Sequence, residues 1–396
     1  MHPRFEVIVY AGSRLGSAVM SISVFALIAR TLPPNQVESV FSLMFVIGFA
    51  VALLRSYCML SANLVGELRG TERLRRIAVG AQRYGRLMPL ALALLIVVFS
   101  FQSLPWWALP IVAAIACAAG YDSDLTRAAL NRAALYPWLF FGGNAASLLL
   151  LLTLDRPDFR SVILAVLVGW IAPGLFGISR WVAERRLASR HKVQPWARSG
   201  AVSWRPLLIA SLEGVVLNAP FLGGTGANMS GSRGYDLAIA IRVFSSSQPL
   251  FSLITHWSNS GRLWKFGKQL HISEVKLYAL LLLTTGMIAS VLFVILFAWI
   301  SHQEVTGIQY GMFVVLLAGY CSYLSETRFH AMSLSSRRVW LVYVLVPVFF
   351  LITLTLLQSL NAPAWTVAIL QGGSLLLAAI TIHVVTQNPR SQSESP

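Results

Sequence analysis

LYALLLLTTGMIASVLFVILFAWI, residues 277–300, runs for 24 positions without one charged side chain. As a helix rising ~1.5 Å per residue it is about 36 Å long, enough to cross the ~30 Å hydrocarbon layer of a bilayer. Reading outward from it, eleven comparable stretches lie near residues 8–30, 38–62, 87–104, 106–121, 134–154, 160–181, 206–222, 236–257, 307–325, 338–360 and 363–386. Only Leu104-Pro105, flanked by Trp106 and Trp107, separates the third from the fourth, and a proline between interfacial aromatics reads as a tight turn. With 56% hydrophobic and 12% charged residues over 396 positions, a soluble globular domain is excluded.

The formal charge of +16 does not indicate nucleic acid, because the basic residues recur in short runs between apolar stretches and form no single basic face. With twelve spans, twenty-four Lys and Arg fall at the two termini and in the loops after even-numbered spans. Four (Arg30, Arg156, Arg160 and Arg233) fall on the opposite face, and three lie within spans. Basic residues favour the cytoplasmic side, so both termini are expected there. The basic start lacks a short apolar core with a small-residue cleavage site, so the first span is expected to be retained.

The resulting expectation is an all-α integral membrane protein with about twelve transmembrane helices, arranged as two six-helix bundles around a central cavity. The boundaries read as an N-terminal bundle at 1–182, a basic cytoplasmic linker at 183–205, a C-terminal bundle at 206–386 and a short cytoplasmic tail at 387–396. Cys58, Cys117 and Cys321 have no ligand spacing and read as buried small apolar residues, and the seven histidines are scattered. No metal and no cofactor are expected. Gly223-Gly224-Thr225-Gly226 lacks the Lys-Ser/Thr of a phosphate-binding loop and reads as a connector, and Asn228-Met229-Ser230 is a formal glycosylation sequon. Pro249 and Pro347 fall inside spans and mark possible bends.

Arg14, Arg55 and Arg242 are the three intramembrane arginines. Each costs about 2.5–3.5 kcal/mol on insertion scales near the bilayer centre, so an interior, water-filled or paired location is expected. Arg14, Ser17 and Ser21 share one helical face, as do Arg242, Ser245, Ser246 and Pro249, and both stripes are expected to line the cavity. Fastening helices through carboxylates, or snorkelling to headgroups, is the competing role. Glu213 is the one carboxylate read as well inside the membrane, suited to charge balance or to ion coupling. Three positive charges against one negative favour a phosphate or diphosphate ligand, for which guanidinium supplies forked donors.

The segment RLGSAVMSISVFALIARTLPPNQVESVFSL, residues 14–43, contains Ala29, Arg30 and Leu32, then Pro34, then Phe41-Ser42-Leu43. It resembles the opening of polysaccharide flippases of the O-antigen (Wzx-type) branch of the multidrug/oligosaccharidyl-lipid/polysaccharide exporter superfamily. Gly234-Tyr235-Asp236-Leu237-Ala238, opening the eighth span, echoes it. The resemblance implies a non-enzymatic flippase of the bacterial inner membrane, carrying undecaprenyl-diphosphate-linked oligosaccharide toward surface polysaccharide or O-antigen assembly. Membrane lipids, a polysaccharide polymerase and a chain-length regulator are the implied partners. In the resembling lipid II flippases arginines on helices 1, 2 and 8 contact substrate, which implies the same role for Arg14, Arg55 and Arg242. Their ion site combines helix 7 with helices 11 and 12, and spans 11 and 12 here carry no acidic residue. Two alternatives stand beside this reading. One is a cation-coupled small-molecule exporter of the same superfamily; the other is a membrane-embedded polymerase or glycosyltransferase, for which Asp155 and Asp158 are the only close external carboxylate pair.

Overall fold

The computed structural model describes residues 3–65, 105–121, 136–155, 157–190, 232–259, 272–330 and 337–387, together with scattered positions between 81 and 100 and between 212 and 217. Eleven α-helices are numbered here in chain order among the described residues. The first half holds α1 (Pro3–Thr31), α2 (Pro34–Val65), α3 (Leu109–Ala119), α4 (Tyr136–Thr153), α5 (Phe159–Val168) and α6 (Ile171–Arg190). The second half holds α7 (Ser232–Asn259), α8 (Ile272–Ser301), α9 (Gly307–His330), α10 (Arg337–Ser359) and α11 (Ala364–Gln387).

Six of the described helices are individually long and apolar enough to cross a membrane, or seven when α5 and α6 count as one bent span. Shorter apolar helices at 87–97, 106–119 and 138–153 occupy the third, fourth and fifth predicted spans, and α7 covers the eighth. The predicted 206–222 span falls largely outside the described residues, as do the Gly223–Gly226 and Asn228 motifs. Surface chemistry agrees with lipid as solvent. On α8, Leu280, Ile288, Leu292, Ile295 and Trp299 are exposed while Tyr278, Leu282, Phe293 and Phe297 are buried, and a helix apolar on every side is stable only where its outer face meets protein or hydrocarbon. The chain is an all-α integral membrane protein.

Prolines and caps set the helix ends. Thr31 is followed by Leu32-Pro33-Pro34; the residue before a proline is pushed out of helical geometry, and Pro34 opens α2, where a missing N–H costs nothing. Pro105 begins the tight turn Trp106–Ala108 that leads into α3, as expected for the break between spans three and four. Arg160 stacks over Trp107 there, 5.5 Å from the ring centroid. At the start of α9, Thr306 and Gln309 exchange side-chain to backbone hydrogen bonds of 3.0 and 3.2 Å, the reciprocal pairing of a capping box.

The structure adds two details to the sequence reading and corrects one expectation. The sixth span is not one straight helix, since α5 and α6 meet at a 41° bend. The bend lies where Gly169 passes α4 so closely that a Cβ on Gly143 would sit 2.0 Å from the Gly169 carbonyl oxygen, and the chain turns to make that crossing. The basic linker read as starting at 183 is helical as far as Arg190. Cys117 is only half-buried, whereas Cys321 is buried as expected; the side chain of Cys58 is outside the described residues. Pro347 lies inside α10 as read.

The halves repeat a packing scheme. In the first, α2 meets α3 and α5 while α3 meets α6; in the second, α7 meets α9 and α11 while α9 meets α11. In span order these are the second, fourth and sixth elements of each half, a repetition of architecture without residue identity. Small residues permit the closest pairs. A Cβ on Gly177 would stand 2.0 Å from the Ala118 carbonyl oxygen between α6 and α3, and one on Gly319 would stand 2.3 Å from the Gly372 carbonyl oxygen between α9 and α11. The halves meet where α1 packs on α7 and α8 and where α2 packs on α7.

Candidate functional site

Arg242 sits on α7 at the seam between the halves, and it is buried. Its Nη2 donates to the carbonyl oxygen of Phe41 on α2 at 2.6 Å. The guanidinium carbon lies 3.6 Å from the ring centroid of Phe45, 4.9 Å from that of Phe25 and 5.6 Å from that of Phe41. Phe25 and Phe41 meet edge to face at 5.5 Å. All four partner groups belong to α1 and α2, so one cation from the second half is held by an aromatic box of the first. Nε has no hydrogen-bond partner.

The energetics decide what this arrangement can be for. Desolvating a guanidinium costs several kcal/mol. Against that stand cation–aromatic contacts worth up to about 2 kcal/mol in a dry site and a charged-donor hydrogen bond worth about 1.5–3 kcal/mol. These magnitudes nearly cancel. Arg242 is therefore tolerated at the seam without adding much to stability.

A second bond crosses the seam at the same end. Gln303, in the connection from α8 to α9, donates through Nε2 to the Ala29 carbonyl oxygen of α1 at 3.1 Å. That carbonyl would ordinarily accept from residue 33, which is proline and has no N–H, so the glutamine supplies the missing donor. Gln303 Oε1 in turn accepts from the Tyr235 hydroxyl at 2.5 Å, and Gln309 Nε2 donates to Asp236 Oδ1 at 2.6 Å. Asp236, in the second turn of α7, thus joins a polar cluster with the α9 cap.

Inside the second half another glutamine also donates to main-chain carbonyls. Gln371 on α11 is fully buried and donates through Nε2 to the carbonyl oxygens of Val216 and Leu217 at 3.0 and 3.2 Å. Residue 220, four beyond Val216, is proline. Replacing Gln371 with leucine removes the donor from a buried carbonyl, and is expected to lower stability by about 1–3 kcal/mol; a melting temperature in detergent equal to the parent's would show that another group serves Val216.

The remaining sequence-derived residues fall as follows. Arg14 is half-buried on α1, eleven residues before Phe25 and so roughly 16 Å along the axis. The side chains of Arg55, Glu213 and Pro249 lie outside the described residues. Ser17 is buried near the contact of α1 with α4, where Asn144 Nδ2 donates to its carbonyl oxygen at 3.5 Å, and Ser21 is half-buried. Ser245 Oγ donates back to the Arg242 carbonyl at 3.0 Å, and Ser246 is buried with no partner for its Oγ. The arrangement brings Arg242 to the seam, with Ser246 one turn further along α7; Arg14 stands apart from Arg242 along α1.

Phe25, Phe45 and Gln303 were not singled out by sequence, although Phe41 and Phe45 one turn apart were a usable signal. Also unforeseen is a pair near the C-terminal ends of α9 and α11: His383 Nδ1 lies 3.2 Å from Glu326 Oε1. Among the described residues no group of three or more His, Cys, Asp or Glu could hold a metal.

Asp158 is a helix cap. It accepts from the Ser161 backbone N–H at 2.9 Å while Ser161 Oγ accepts from its own N–H at 3.0 Å, and the Ser161 bonds hold its carboxyl below the usual range. A depressed folded-state value gives stability that is present above the unfolded value and lost as pH falls through the folded one. Asp158→Asn, which caps without titrating, is expected to flatten the acid limb of thermal unfolding; an acid limb identical to the parent's would mean the cap does not titrate with folding.

No family model and no curated protein sequence matches the chain. Among solved structures, the crystal structure of MATE in the bent conformation aligns over 100% of this chain and 98% of that one, with a TM-score of 0.51 at 13% identity. The crystal structure of MATE in complex with MaL6 aligns over 98% and 97%, with a TM-score of 0.47 at 14% identity. The first likeness establishes a shared fold over the full length of both chains.

Proposed function

We propose that the protein is a transporter, not an enzyme, that moves an undecaprenyl-diphosphate-linked oligosaccharide from the cytoplasmic to the periplasmic face of the bacterial inner membrane. The observation that carries the reading is Arg242: a buried guanidinium at the seam between two helical halves, held by one carbonyl and three aromatic rings, its Nε without a partner among the described residues. A full-length likeness to a MATE fold supports halves that part at such a seam. An anionic diphosphate matches a forked cationic donor, whereas a cationic amphiphile would be repelled. Arg14 and Arg55 join Arg242 in this reading as substrate contacts, with Glu213 balancing charge or coupling to an ion. The basic bias supports a topology with both termini in the cytoplasm and the Thr31 and Ser301 ends toward the periplasm.

Deleting the gene should abolish surface polysaccharide and leave lipid-linked precursor accumulated in the inner leaflet. Intact polysaccharide together with new sensitivity to cationic dyes would favour a cation-coupled exporter instead. The observation on that side is the titratable Glu326–His383 pair. A polymerase or glycosyltransferase is disfavoured by the engagement of Asp158 as a helix cap.

A further inference from the structure

The described hydrogen bonds and cation–ring contacts across the seam share a direction. Donors come from the second half (Arg242 on α7, Gln303 after α8), while the acceptors and rings come from the first: the carbonyls of Ala29 and Phe41 and the faces of Phe25, Phe41 and Phe45. Every described partner of the guanidinium is therefore lost together if α7 moves away from α1 and α2. Phe41 is not harmed by that parting, because its carbonyl lies inside α2 and keeps the helical donor four residues on. The arginine bears the cost, because it gives up the carbonyl and all three rings before water or an anion has reached it.

A contact with this asymmetry stays closed until something else solvates the cation. Resting on the transport reading above, we infer that the Arg242 aromatic box is a latch: it holds the two halves together at the Thr31 end, and the anionic group of the cargo opens it by taking over the guanidinium. The fork that now meets one carbonyl and leaves Nε unused is matched better by a diphosphate, which offers several acceptor oxygens at once. Phe45, with the shortest ring distance, is the main element holding the cation until then.

Seam opening can be read without any transport measurement. In a background without the native cysteines, Ala29→Cys places a thiol at a buried seam position that a membrane-impermeant maleimide reaches only when the halves part. Labelling is expected to be slow with Arg242 present and at least several-fold faster with Arg242→Gln. Phe45→Leu, which keeps the charge and an apolar filler, should accelerate it too and serves if the first variant folds poorly. Equal labelling rates in the parent and both variants would overturn the latch and leave the box as static packing. In a second arm, proteoliposomes containing undecaprenyl diphosphate should label faster than phosphatidylglycerol vesicles when Arg242 is present and show no difference when it is Gln. Faster labelling of the variants with no response to undecaprenyl diphosphate would uphold the closure role of the box, refute release by that anion and count against the proposed cargo.

Discussion

Replacing Arg242 with methionine is expected to yield a protein at least as stable as the parent that no longer transports. The change removes the desolvation of a buried guanidinium and of its unpartnered Nε, and buried charges exchanged for apolar groups of similar size are often neutral or stabilising by about 1–4 kcal/mol. Methionine has comparable length, and its sulfur makes favourable contacts with aromatic rings worth about 0.3–1.5 kcal/mol, so it suits the space among Phe25, Phe41 and Phe45. The Phe41 carbonyl keeps its helical partner. What disappears is the cation. Melting temperature in detergent and polysaccharide assembly in a deletion strain, measured on the same variant, separate the possibilities. A stable, inactive protein matches the account; a protein that unfolds shows that folding itself requires the arginine; a stable, active one removes Arg242 from function. Arg242→Ala is less informative, because it also leaves a cavity whose cost adds to any other effect.

The second large effect concerns the α9–α11 crossing and rests on two glycines near it, Gly319 and Gly373, behaving oppositely. A Cβ on Gly319 would lie 2.3 Å from the carbonyl oxygen and 2.8 Å from the Cα of Gly372, so the two backbones must separate to admit it. Overpacking of this kind costs about 1–3 kcal/mol and more where backbone must move. Gly319→Ala is therefore expected to lower the melting temperature by several degrees and to reduce the amount of protein in the membrane. Gly373 sits one residue from the same crossing with nothing within 4 Å of its Cβ position, so Gly373→Ala should stabilise by about 0.4–1 kcal/mol through lost freedom in the unfolded chain. Equal melting temperatures for the two variants would contradict the close approach of α9 and α11.

The membrane fold was legible because its cause is compositional: a run such as residues 277–300 has nowhere to go but hydrocarbon. Arg242 was legible for the converse reason, since a charge at that depth demands an explanation. The box around it was not. Phenylalanines are ordinary in apolar spans, and only the folded arrangement separates Phe25 and Phe45 from Phe293 or Phe297, which meet no cation among the described residues. Gln303 was invisible because its partner is a carbonyl made needy by Pro33, which is distant in sequence. The proline itself was visible, and an orphaned carbonyl four residues ahead of a proline is a signal that sequence reading can use. The bend between α5 and α6 escaped because Gly169 owes its role to what Gly143 brings against it. Glu326 and His383 escaped for want of any sequence spacing that joins α9 to α11.

The central claim is that the seam at Arg242 carries an anionic lipid-linked sugar across the bilayer. Its most direct test is reconstitution of purified protein into vesicles loaded with a fluorescent undecaprenyl-diphosphate-linked oligosaccharide, followed by the fraction protected from an external quencher. Parent protein should equilibrate the label between leaflets while Arg242→Met vesicles behave like protein-free ones. Transfer by the variant at the parental rate, or none by the parent, would contradict it.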